Sequence, residues 1–207
     1  MVAYRFSLPV SEAQVRELRV NDELFLSGMV VTARDQAHRR ALEWFKQGKP
    51  LPEHLEGLAV FHCGPVMRKV GDTWTVVAAG PTTSTRMDLY EDEFIRAFKP
   101  RIIIGKGGMG KRTADALAEF GGVYCAITGG AAVLAAKAVR RVVGVEWLDL
   151  GMPEAMWLLE VEEFGPLTVA IDAHGNNLYA DVAARAEANK RLIYEKWGFS
   201  DHCRVLG

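Results

Sequence analysis

From Arg101 to Leu150 short apolar runs alternate with glycine-rich punctuation and helical patterns, and that order leaves few folds open. Arg101 to Ile104 reads as a buried strand, Gly105-Lys106-Gly107-Gly108-Met109-Gly110-Lys111 as its exit turn, and Met109 to Phe120 as a helix. The pattern then repeats. Val123 to Ile127 is a strand, Thr128-Gly129-Gly130 its turn, Ala131 to Val139 a helix of small residues, and Val142 to Leu150 another strand. Strands interleaved with helices of this length imply helices layered on a sheet.

The preceding part is richer in strands. Val2 to Leu8 and Leu24 to Thr32 alternate as strands do, with Ser11 capping a short helix from Glu12 to Leu18 between them. Ala37, Ala41, Trp44 and Phe45 then share one helical face, which Gly48 and Pro50 terminate. This places Arg34, Asp35 and His38 in a first helical turn, where backbone amides point outward. Leu58 to His62 is apolar, and Val66 to Val70 and Thr73 to Ala79 flank Gly71-Asp72 as a tight hairpin. Asp88 to Phe98 suits a helix, Leu158 to Val161 and Leu167 to Asp172 two strands, and Asn177 to Trp197 an amphipathic terminal helix. The expectation is one mixed α/β domain over residues 1–207, with a β-rich N-terminal part and a C-terminal helix at about 177–197.

Composition narrows the partners. With 207 residues, 49% of them hydrophobic, the chain can bury a sizeable core. A formal net charge of -1 offers no basic field for nucleic acid. The longest apolar runs, such as Ala131 to Ala136, fall far short of a bilayer span, and Met1-Val2-Ala3-Tyr4-Arg5 does not open like a secretory signal. No membrane association and a cytoplasmic location are therefore expected. Cys63, Cys125 and Cys203 are odd in number and lack any Cys-x-x-Cys pair, so they read as reduced, partly buried thiols. No set of donors at zinc or iron-sulfur spacing is visible, and no metal is expected on this chain.

Two loops carry the chemistry. Gly80-Pro81-Thr82-Thr83-Ser84-Thr85-Arg86-Met87-Asp88 concentrates hydroxyls beside a guanidinium, and Gly105 to Lys111 nearly spells a nucleotide-binding loop. That second loop lacks the metal-binding hydroxyl after its lysine. Arg112 occupies the position, and Thr113 is one residue late, about 100° around a helix of roughly 3.6 residues per turn. What remains is a generic anion grip, with amides of Gly107, Gly108 and Met109 and the charge of Lys106. A plainer reading makes these glycines a tight strand-to-helix turn, and the Thr-rich loop a set of turns and caps. Arg86, in the same α/β switch region as Lys106, favours carboxylate binding, since its planar fork pairs with carboxylates bidentately. Arg34 could be a third cation. His38 and His62 read as structural or supporting groups.

Five blocks resemble a known family: Thr32-Ala33-Arg34-Asp35-Gln36-Ala37-His38, His62-Cys63-Gly64-Pro65-Val66, Gly80 to Asp88, Gly105 to Met109, and Ile127-Thr128-Gly129-Gly130-Ala131-Ala132. They run in order from about Leu8 to Tyr179 and are similar to the β subunit, or carboxy-terminal domain, of class I fumarate hydratase; the β subunit of L-tartrate dehydratase is also similar. The resemblance implies a swivelling β/β/α-type domain and reversible hydration of a small dicarboxylate, fumarate and malate being the favoured pair. It further implies an oxygen-labile [4Fe-4S] cluster held by a partner α subunit, in a complex of several αβ units. By the same resemblance Thr82 is the candidate base and Arg34, Arg86 and Lys106 bind substrate; on the reading of the residues themselves Gly107 and Gly108 join the substrate grip, and Asp35, His38, His62 and Asp88 are supporting groups. Asp35 or Asp88 would orient the arginines. From another class, a non-catalytic anion- or nucleotide-binding module stays open.

Overall fold

The computed structural model describes residues 2–52, 57–130 and 132–198, so Met1, Ala131 and Cys203 lie outside the described residues. The strands are β1 (Ala3–Ser7), β2 (Glu23–Thr32), β3 (Ala59–Phe61), β4 (Val66–Val70), β5 (Thr73–Ala78), β6 (Ile102–Gly105), β7 (Val123–Ala126), β8 (Val139–Glu146) and β9 (Met156–Ile171). The helices are α1 (Glu12–Glu17), α2 (Asp35–Lys46), α3 (Glu91–Phe98), α4 (Lys111–Phe120), α5 (Ala132–Ala138) and α6 (Leu178–Trp197). The mixed α/β architecture expected from the sequence is present.

One sheet runs in the order β1-β2-β3-β6-β7-β9-β8, and β9 also pairs with β2. That extra pairing joins β2, β3, β6, β7 and β9 into a closed ring. Within it β2, β3, β6 and β7 are mutually parallel, and β9 runs antiparallel to the strands at both ends. The β4-β5 hairpin forms a separate two-stranded sheet, its strands joined at Gly71-Asp72 as expected. Burial on both faces explains why the short parallel strands read as unbroken apolar runs. Alternation then sorts their residues. Ile102 and Ile104 enter the ring core with Leu24, Leu26, Phe61 and Trp157, whereas Ile103 faces outward against α3 and α4 with Ile95 and Leu117. Val60 and Val31 pack against Ala37, Ala41 and Phe94 of α2 and α3.

Several expected boundaries change. The two strands placed at Leu158 to Val161 and Leu167 to Asp172 are one 16-residue strand. Gly165-Pro166 signals a break, but the pairing of β9 with β2 absorbs the irregularity as register shifts between Leu24 and Gly28, and Glu163 takes a left-handed conformation at φ 50°. β8 starts at Val139 and ends at Glu146 because its pairing spans the N-terminal half of β9, from Val161 to Met156. The helix expected over Asp88 to Phe98 is two pieces, a 3-10 turn at Ser84–Leu89 and then α3, with Tyr90 at φ -143° between them. The terminal helix forms, capped by Asn177, whose side chain accepts from the amides of Tyr179 and Ala180. None of its described residues is buried, so it is not packed on the sheet as an amphipathic helix would be.

The sheet sets the position of the chemistry. The parallel strands end in register, Thr32 beside Phe61 and Phe61 beside Ile104, then Gly105 beside Ala126. His62 and Lys106 follow directly, and Arg34 and Gly129 within three residues, so all four stand at the carboxyl ends of the parallel strands, on one rim of the ring.

Candidate active site

The Thr-rich loop is pinned across two strand ends. Pro81 bridges to Cys63 and Thr83 to Lys106, while the Thr82 amide donates to the His62 carbonyl at 2.7 Å and the Ser84 amide to the Lys106 carbonyl at 2.9 Å. Residues 81–84 thereby act as a short strand between the exits of β3 and β6. The hydroxyls divide by side. Ser84 is buried, Thr85 is exposed and donates to the Gly108 carbonyl at 2.8 Å, and Thr82 is half-buried. Among the described residues no group hydrogen-bonds to Thr82 Oγ1, which leaves it available to a ligand.

Cations surround this segment. Arg86, at the 3-10 turn, pairs with Asp35, whose other oxygen accepts from the Tyr90 hydroxyl at 3.3 Å. Arg34 directs Nε and Nη2 at Glu154 Oε1, each at 2.7 Å, and Glu154 also accepts from the Gln36 amide. Both arginines are thus held by carboxylates, while among the described residues other N–H groups of each fork have no partner. Lys106 has no ion-pair partner among the described residues, and its stem runs beside Gly129. Gly108 must stay without a side chain, since a Cβ there would come within 2.8 Å of the Tyr179 ring. The structure therefore brings Thr82, Lys106, Gly107 and Gly108 together at one edge. Arg86 joins them through its own loop, and Arg34 adjoins it through Asp35.

Asp88 does something else. Its carboxylate accepts from the Gly110 amide at 2.9 and 3.0 Å and from the Thr113 hydroxyl at 2.8 Å, capping α4 from outside rather than orienting an arginine. That carboxylate stands just ahead of the first turn of α4, so an anion approaching the helix start meets a negative charge there. Lys111 pairs with Asp115 and Arg112 with Asp92. The near-match to a nucleotide loop is thereby explained as a capped strand-to-helix turn.

Behind the loop lies a sealed cluster. His38, His62 and Glu91 have no exposed surface, and the Nε2 atoms of both rings sit 3.3 Å from Glu91 Oε2, off the line of a hydrogen bond. His38 Nδ1 lies 3.1 Å from the Arg34 carbonyl, and His62 Nδ1 lies 3.0 Å from Ser84 Oγ. The Tyr124 hydroxyl lies 3.0 Å from Ser84 Oγ and 2.8 Å from the Gly107 carbonyl. Burial opposes charge on Glu91, but the two facing rings overcome it and hold the carboxyl below its ordinary range. Burial likewise opposes charge on His38, and the Glu91 carboxylate outweighs it and raises the ring's pKa. These three residues also form a group of donors, all within 4.8 Å of one another, of the types that bind a metal ion.

Sequence reading missed Glu91, Glu154 and Tyr124. A signal existed for the first: Glu91 shares the spacing of Phe94, Ile95 and Phe98, and a carboxylate on that apolar face has to be buried. For an iron-sulfur cluster the described residues do not fit. Cys63 and Cys125 are the only cysteines among the described residues, and both are buried among the apolar side chains of the ring core, where burial pushes each thiol up to about 12, whereas a cluster takes three or four cysteine thiolates.

A family model described as Fumarase C-terminus matches residues 3–182. The chain belongs to this family. The L(+)-tartrate dehydratase subunit beta of Escherichia coli (strain K12) is 44% identical over 188 residues, covering 91% of this chain and 89% of that protein. A Methanocaldococcus jannaschii protein, provisionally given the same name, is 46% identical over 188 residues, covering 90% and 93%. A Geobacillus stearothermophilus protein, provisionally named fumarate hydratase class I, is 43% identical over 175 residues, covering 84% of this chain and 33% of its own length. Every residue of the site lies inside the span that the Fumarase C-terminus model matches. No helix among the described residues is long and apolar enough to cross a membrane.

Proposed function

We propose that this chain is the β subunit of a hydro-lyase of the fumarate hydratase class I and L-tartrate dehydratase type, working in the cytoplasm on a small dicarboxylate. Fumarate and malate are the favoured pair. The observation that carries this reading is the Thr82 segment pinned between the exits of β3 and β6, which bridges to Lys106 through Thr83 and has Arg86 on the same loop, with Thr82 Oγ1 and Lys106 Nζ unpartnered among the described residues. In the assembled enzyme a [4Fe-4S] cluster held by the α subunit would supply a Lewis acid.

The residues of this chain supply positive charge and a proton acceptor. Lys106 and the unspent N–H groups of Arg34 and Arg86 bind the two carboxylates, and the bare backbone of Gly107 and Gly108 admits one of them closely. Loss of a proton next to a carboxylate builds further negative charge there, so cations aimed at it favour the transition state over bound substrate. Thr82 Oγ1 takes that proton. A threonine hydroxyl is a weak base in water, and the surrounding positive field is what makes its deprotonated form accessible.

L-tartrate dehydration to oxaloacetate is the second reading, and the names of the relatives from Escherichia coli and Methanocaldococcus jannaschii favour it. The two substrates differ by one hydroxyl, a difference that a single pocket contact can read. Co-expression with the candidate α chain, anaerobic purification and parallel assays on malate and L-tartrate distinguish them. Activity on one diacid is expected, and only with both chains present. A cluster-loaded complex inert toward both diacids overturns the reading.

A further inference from the structure

Four atoms at the centre of the sealed cluster, Nε2 of His38, Nε2 of His62 and both oxygens of Glu91, are buried without a hydrogen-bond partner among the described residues. Such groups are nearly always satisfied in folded proteins, and a concentration of four calls for a missing occupant.

Proton positions around the cluster say what kind. The Arg34 carbonyl can only accept, so His38 Nδ1 carries the hydrogen of that 3.1 Å contact. The Gly107 carbonyl can only accept, so the Tyr124 hydroxyl donates to it. Ser84 must then donate its single proton to the Tyr124 oxygen, and can only accept from His62 Nδ1. Both rings thus carry hydrogen on Nδ1. In their neutral forms they turn bare Nε2 lone pairs toward a carboxylate, and three electron-rich groups converge on one point. A cation belongs between them.

We propose that His38, His62 and Glu91 hold a buried divalent metal ion of the zinc class, bound by two imidazole nitrogens and a chelating carboxylate. Protons on both Nε2 atoms would point off line at one shared oxygen and leave Oε1 unpartnered, whereas a single ion satisfies all four atoms. The 3.3 Å separations agree with donors about 2.0–2.1 Å from a common tetrahedral centre, whose edges are about 3.3–3.4 Å. Histidine ligands are ordinarily oriented through their second nitrogen by a carbonyl or hydroxyl, the role that Arg34 O and Ser84 Oγ fill here. The ion would be structural. It would brace the first turn of α2, the exit of β3 and the start of α3, the three segments on which Arg34, the Thr82 loop and Tyr90 rest. This inference does not depend on the reaction proposed above.

Elemental analysis of the full-length chain, expressed in zinc-supplemented medium and dialysed against EDTA, tests it. About one equivalent of zinc per chain is expected, and cobalt loaded in its place should show the visible absorption of a four-coordinate ion. Glu91→Gln should lose the metal. Should that variant fail to fold, Ser84→Ala keeps every ligand and should weaken metal affinity by about 10- to 100-fold through loss of ring orientation. A folded wild-type chain holding less than about a tenth of an equivalent, with no change in melting temperature on adding zinc or cobalt, overturns the proposal. So does a folded Glu91→Gln chain with undiminished zinc.

Discussion

The opening bordered by Thr82, Arg86 and Lys106 and the sealed cluster of His38, His62 and Glu91 lie on opposite sides of one strand exit, yet they are held in opposite ways. At the opening, backbone bonds fix the loop: Thr82 and Ser84 are tied through their amides, and among the described residues Thr82 Oγ1 and Lys106 Nζ are left without a partner. In the cluster the side chains are fixed by burial and each ring's outer nitrogen is spoken for. Chemistry therefore faces out on a rigid backbone, while rigidity comes from behind. Substitutions at the opening should change rate without changing stability, and those in the cluster should do the reverse.

The sharpest break between the two is expected at Thr82→Ala, which should lower kcat of the assembled enzyme by about 10²- to 10⁴-fold. Its unfolding free energy should stay within about 0.5 kcal/mol of wild type in urea titration. Unchanged turnover would remove Thr82 from the base role. Glu91→Ala belongs to the other region and should cost about 3–5 kcal/mol in the same titration, because it strips a buried carboxylate from two buried rings. A loss below about 1 kcal/mol means that the cluster holds nothing together.

Arg86→Ala returns to the opening. It should raise KM and lower kcat together, with kcat/KM down about 10- to 100-fold, as expected for a charged hydrogen bond worth about 1.5–3 kcal/mol. An effect on neither constant would show that the Asp35 pair is its only function. Gly105→Ala tests the joint between the regions, since a Cβ at this position would lie 1.9 Å from Ser84 Oγ and 3.2 Å from His62 Nδ1. Overpacking of this kind costs about 1–3 kcal/mol and should lower activity too, by pushing Ser84 off its station. The smallest effect is expected from Asp88→Ala, about 1 kcal/mol by loss of the α4 cap, read as a drop in thermal midpoint with kcat preserved. A collapse of kcat in this folded variant would put Asp88 back among the substrate-orienting groups.

Legibility in the sequence followed the same divide. Thr82, Arg86 and Lys106 stood out because hydroxyls and cations beside apolar runs are a local pattern, and the register of β3 and β6 needed only those runs to be strands. Glu154 was invisible, because its bond to Arg34 spans 120 positions and depends on how the chain enters β9. Asp88 was misread for a related reason. Its neighbours in sequence include an arginine, but its partners, Gly110 and Thr113, lie at the start of α4, beyond the whole of α3 and β6. Glu91 is legible from the spacing it shares with Phe94, Ile95 and Phe98, but only when a charged residue is admitted to an apolar helical face. The continuity of β9 depended on its partner strand: Gly165-Pro166 is a stop signal in isolation, and β2 overrides it with a bulge. For α6, helix propensity and Asn177 predicted the element, while nothing local told whether a surface awaited it.

Pairing of β9 with β2 along one edge, and with β7 and β8 along the other, has a consequence for biosynthesis. A ribosome releases Arg34, Thr82, Arg86 and Lys106 long before Ile171, so a growing chain carries its whole chemical complement unassembled until the closing strand arrives. Partial chains therefore lack both the Glu154 carboxylate that holds Arg34 and the strand that closes the ring.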